Sequence, residues 1–64
     1  MLMLHMPKSF KVGDTEPCRI NKEPTTVTWR ADDHLVLGGT DARKIVSVAP
    51  DGDLVMFVCG DRGE

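Results

Sequence analysis

Apolar and polar residues alternate in short runs along this chain, and no window keeps a helical apolar period for three turns. The runs are rich in β-branched residues and are separated by Gly, Pro, Asp and Asn at close intervals. This pattern predicts an all-β antiparallel meander. A first strand is expected at Ser9–Val12, with Phe10 and Val12 on one face, before a turn at Gly13-Asp14. A second is expected at Pro17–Ile20; its leading Pro has no N–H to donate and suits an edge or a strand start. Residues 21–24 form a connection. The third strand, Thr25–Arg30, alternates cleanly: Val27 and Trp29 face one way, Thr26, Thr28 and Arg30 the other.

The next turn fixes a register. With residues 31–33 as a three-residue loop, Trp29 faces Leu35 and Val27 faces Leu37, so one face is wholly apolar. A two-residue loop mixes the faces, and a one-residue slip inverts every side chain. The hydrophobic pattern therefore selects the three-residue loop, with Asp33 left-handed, a conformation Asp tolerates. Treating residues 21–24 as a four-residue loop in the same way sets Cys18 opposite Val27 and Ile20 opposite Thr25.

Residues 45–59, IVSVAPDGDLVMFVC, read as a hairpin about a type I turn, with Pro50 first and Gly52 left-handed. Both of its faces are apolar. One carries Val46, Val48, Leu54, Met56 and Val58, and is expected in the core with Cys18, Ile20, Val27, Trp29, Leu35 and Leu37. The other carries Ile45, Ser47, Ala49, Val55, Phe57 and Cys59, and needs a cover. Burying Ile45, Val55 and Phe57 contributes roughly 1.5–3 kcal/mol each. The amino-terminal residues Leu2, Leu4, Phe10 and Val12, a second copy of the chain, or a different protein are the available covers. The expectation is self-association through Ile45, Val55 and Phe57.

The fold expected is thus about five short strands in a small open barrel or a strongly twisted sheet. It resembles SH3-like barrels in size and in its run of short strands, which is a likeness of architecture only. Residues 9–60 form the single domain, 1–8 a flexible, start-ambiguous segment, and 61–64 a tail. At 64 residues the core is small, because a chain this short buries only about 60% of its unfolded surface. With 41% hydrophobic and 28% charged residues, the chain is nonetheless ordinary for a globular protein and not for a disordered one.

Net charge is −2, so no electrostatic footprint for nucleic acid or anionic lipid is visible. Residues 1–30 hold five bases against three acids, and residues 31–64 three bases against seven acids. The opening MLMLHM lacks the basic leader and cleavage site of a secretory signal. No run approaches the ~20 apolar residues of a membrane span. The expected address is cytoplasmic, where the two cysteines stay as free thiols.

Chemistry-bearing motifs are sparse. Residues 37–43, LGGTDAR, lack the spacing of a phosphate-binding loop and form a connection. His5, Cys18, His34 and Cys59 are the soft ligands, but none is spaced as a Cys-x2-Cys or His-x3-His pair, so no metal site is expected. Cys18 with His34 has no third group to orient it as a nucleophile pair. Asp51-Gly52-Asp53 lacks the remaining ligands of a calcium loop. No catalytic residue and no cofactor is expected. The function anticipated is a non-enzymatic protein-interaction module, with itself or another protein as partner. The alternative is a small nucleic-acid-binding barrel using Thr26, Thr28 and Arg30.

Overall fold

A computed structural model describes residues 1–63; Glu64, part of the expected tail, lies outside the described residues. Six strands run in order: β1 (Leu2–Pro7), β2 (Thr15–Ile20), β3 (Glu23–Arg30), β4 (His34–Leu37), β5 (Asp41–Asp51) and β6 (Leu54–Cys59). All pairings are antiparallel, and the spatial order is β1-β6-β5-β4-β3-β2. The chain is all-β, as expected, and forms a nearly closed small barrel.

The extra strand is β1. Leu2, Leu4 and Met6 alternate with Met3 and His5, and the segment pairs along the whole of β6. Residues 9–12, expected as the first strand, instead form turns: Phe10 N donates to Pro7 O, and Asp14 N to Lys11 O. Residues 2–7 are therefore a sheet edge and not a loose leader.

The β3–β4 register is the expected one, with Trp29 opposite Leu35, Val27 opposite Leu37, and Asp33 at φ 62°. The β2–β3 register differs by two. Cys18 faces Thr25 and Ile20 faces Glu23, because the loop is only Asn21-Lys22, both at positive φ. Two positive-φ residues suit the I′ turn, whose twist matches that of the strands. A slip of two preserves the faces, so Cys18 and Ile20 still join the Trp29 side.

The last hairpin is corrected more deeply. Its loop is Gly52-Asp53, with Gly52 first and at φ 62°. Pro50 and Asp51 continue β5, so Asp51 faces Leu54, Ala49 faces Met56 and Val48 faces Phe57. A bulge between Ile45 and Ser47 leaves Val46 unpaired and sets Ile45 opposite Cys59. Bent there, the long β5 joins β4 through its first part and β6 through its last.

The barrel's interior holds Leu4, Met6, Phe10, Val27, Leu35, Leu37, Phe57 and Cys59, with Leu2, Cys18, Ile20, Trp29, Ile45 and Val55 packed against them. The face carrying Ile45, Val55 and Phe57 is thus inside, and Phe57 is 1% exposed. Val46, Val48 and Leu54, expected in the core, are 60%, 46% and 41% exposed. Aromatic packing turns Phe57 inward and Leu54 outward, while Val48, opposite Phe57 on the inner side, lies beyond the last β5 residue paired to β4. Phe10, Trp29 and Phe57 meet pairwise at ring-centroid distances of 5.7, 5.8 and 5.0 Å. Each such pair contributes about 0.5–1.5 kcal/mol beyond its buried area.

The accessible surface of 4213 Å² is close to the ~4,100 Å² of a typical monomer of 7.1 kDa. No second copy is needed to complete the core. Phe57→Ala is expected to lose about 3–5 kcal/mol in urea unfolding. Leu54→Ala, on the outer face, is expected to lose under about 1 kcal/mol.

Candidate interaction face

Register places three rows on the outside of the β1-β6-β5 sheet. They are Met3–Val58–Ser47, His5–Met56–Ala49 and Pro7–Leu54–Asp51. Side chains directly opposite one another share a face. Met3 is 62% exposed, Met56 and Val58 are half-buried, and Leu54 is exposed beside them. Val46, unpaired at the bulge, is exposed as well. One polar link crosses it: His5 Nε2 and Asp51 Oδ2, on the strands flanking β6, lie 2.7 Å apart.

Beyond Lys44, β5 has no β4 partner, and its far edge is open. Two features blunt that edge against further strand pairing. The bulge twists it, and Pro50 removes a donor. The free edge of β2 is protected in the same way. Trp29 N and O bond to Asp14 O and Gly13 N, so alternate β3 residues turn their backbone toward β2. Pro17 sits opposite Thr26, whose carbonyl bonds to Gly38 N on the β4 side. Pro17 therefore turns its nitrogen to the open seam between β1 and β2, where a missing N–H breaks no ladder bond. The exposed apolar groups are presented by a sheet face, not by a bare edge.

The expected soft ligands do not converge. His5 lies outside on β1, His34 bonds the Asp32 carbonyl, Cys18 lines the seam, and Cys59 is buried opposite Leu2. Among the described residues, no group of three or more His, Cys, Asp or Glu is placed to hold a metal. Both cysteines are free, and burial pushes the Cys59 thiol pKa up.

The outer face of β2-β3-β4 carries Thr15, Thr26, Thr28, Arg19 and Arg30. The Thr15 and Thr28 hydroxyls bond each other at 2.8 Å. Arg19 donates to the Lys22 carbonyl, and Arg30 Nε to Asp32 at 2.7 Å. That hydrogen bond holds the Asp32 carboxyl below its usual pKa. All three aromatic residues are in the inner cluster, so none is offered here for base stacking.

Asp41 and Arg43, which the sequence did not single out, line a cleft at the start of β5 with Leu2, Ile20, Leu37 and Glu23. They extend the inner, odd-numbered alternation of Ile45 toward the start of β5, which is the signal that could have found them. Comparison of the chain with protein-family models, curated proteins and solved structures finds no match.

A thiol reagent is expected to modify Cys18 in the folded protein and Cys59 only after unfolding, a difference that mass spectrometry of timed samples resolves. Acid should weaken the Arg30–Asp32 link. A carboxyl whose folded pKa is lowered stabilises above its unfolded pKa of about 3.9 and loses that contribution as pH falls through the folded value. The fall in melting temperature below pH 4 should therefore be shallower in Asp32→Asn than in the parent.

Proposed function

We propose that this chain is a non-enzymatic interaction module that self-associates through the outer face of β1, β6 and β5. The observation that carries this reading is the apolar surface of Met3, Leu54, Met56 and Val58, neighbours by register, on a barrel whose own core is already complete. Exposed apolar groups gathered on one face mark contact surfaces more often than groups scattered singly. A cytoplasmic address fits the two free thiols. The contact moves from the anticipated Ile45, Val55 and Phe57 to the opposite side of the same hairpin.

Area sets the strength. A stable interface needs about 800 Å² per partner, roughly a fifth of the 4213 Å² available here. Three strands of six residues span only about 300 Å² in projection, from the spacings of strands and residues. The association is therefore weak and concentration-dependent. Nucleic-acid binding has less support, because its basic groups are partnered and its aromatics are internal.

The test is native mass spectrometry and light scattering over a concentration series. The parent should shift from monomer toward dimer as concentration rises. Met56→Lys should stay monomeric with unchanged Trp29 fluorescence. A parent that remains monomeric into the millimolar range would rule out self-association.

A further inference from the structure

The barrel is left unclosed between β1 and β2, the two end strands of the sheet. They run antiparallel to each other, because five antiparallel pairings separate them. Register fixes what β1 turns toward this seam. Gly60 N donates to Lys44 O, so Gly60 turns its backbone to β5. Backbone direction alternates along a strand, so Cys59 and Phe57 turn to β1 and bond their partners Leu2 and Leu4. Met3 and His5 therefore point their N–H and C=O groups into the seam, where no strand pairs with them. The bulge and Pro50 blunt the edge of β5, and Pro17 that of β2. On β1 the first proline is Pro7, the last residue of the strand, so this edge keeps its donors.

A cleft of about 520 Å³ is lined from both edges, by Met3, Leu4 and His5 of β1 and by Pro17, Cys18 and Arg19 of β2. On its inner side Leu4 is buried and Cys18 half-buried. No carboxylate lines it among the described residues. His5 reaches Asp51, on the far side of β6, through Nε2. Arg19 is exposed and spends Nη2 on the Lys22 carbonyl, which leaves the other donors of its guanidinium fork for a ligand.

We propose that this seam binds an extended segment of another protein, acidic and small aliphatic residues alternating, as an added strand on β1. Such strands draw affinity from main-chain bonds and specificity from alternate side chains. The segment runs antiparallel to β1, and two of its residues, two apart, exchange N–H···O bonds with Met3 and His5. Those two side chains point outward, beside Arg19, and are the acids. The residue between them lies opposite Leu4, points inward and covers Cys18; a valine suits that place. The cleft has two walls, so a single strand enters it, whereas the edge of a second folded sheet collides with β2. The site uses the backbone edge of β1 and not the outer side chains of β6, so it stands or falls separately from the self-association face.

The experiment is an amide NMR titration with the peptide acetyl-Val-Glu-Val-Glu-Val-amide, about 17 Å long when extended. Saturable shifts are expected, largest at the Met3 and His5 N–H groups, and bound peptide should slow the modification of Cys18 by a thiol reagent. Two control peptides should each bind at least about tenfold more weakly. One is N-methylated at both glutamates and cannot donate to the Met3 and His5 carbonyls. The other carries Lys in place of each Glu. Met3→Pro removes a donor that makes no ladder bond, so it should weaken binding by a similar factor with little change in melting temperature. Met56→Lys, on the outer face, should bind the peptide as the parent does. Three results would overturn the proposal: no saturable shift, equal binding of either control peptide, or loss of binding in Met56→Lys.

Discussion

The contact among Phe10, Trp29 and Phe57 organises this barrel. The three rings come from a turn, from β3 and from β6, segments far apart in the chain. Bringing them together decides which side of β6 is inside. Once Phe57 points inward, Val55 and Cys59 must follow, and Leu54, Met56 and Val58 must point out, because a strand has only two faces. Trp29 lies edge-on to Phe57 at an interplanar angle of 86°. Its indole nitrogen is buried with no hydrogen-bond partner among the described residues. The large ring is accommodated even at the cost of an unmade bond.

The second constraint is the length of β5. Its first part closes one sheet against β4, and its last part builds another with β6. The bulge at Val46 is where the strand turns between them. It lets Ile45 stay with the core while Ser47 and Ala49 move to the outer rows with Val58 and Met56. The same bend carries the last hairpin beyond the reach of β4, so Val46 and Val48 remain open to solvent. The outer rows thus follow from the way the two sheets are joined, while Val48, opposite Phe57, is left uncovered on the inner side.

The outer face and the cleft at the start of β5 are both products of this architecture, and they differ in kind. The outer face is apolar, carries one polar link, and is suited to weak contact with another surface. The cleft at the start of β5 is charged, half-enclosed and small. Its Asp41–Arg43 pair sits where a core of this size has little apolar material left to cover it.

Local chemistry was enough to determine much of this from the sequence. The strand class, the β3–β4 register and the left-handed Asp33 follow from alternation and turn length, which involve only neighbouring residues. So does the membership of Cys18 and Ile20 in the Trp29 face, since an error of two in register leaves faces unchanged. Three features required the tertiary structure. Leu2–Pro7 becomes a strand only because β6 offers it an edge, and its own residues carry no β-branched signal. The inner face of β6 could not be chosen locally, because both of its faces are apolar and the choice rests on distant Phe10 and Trp29. Asp41 and Arg43 acquire their setting only when β4 places them opposite Leu37 and Leu35. Alternation along a strand is a local property, but which side is buried depends on what the rest of the chain brings against it.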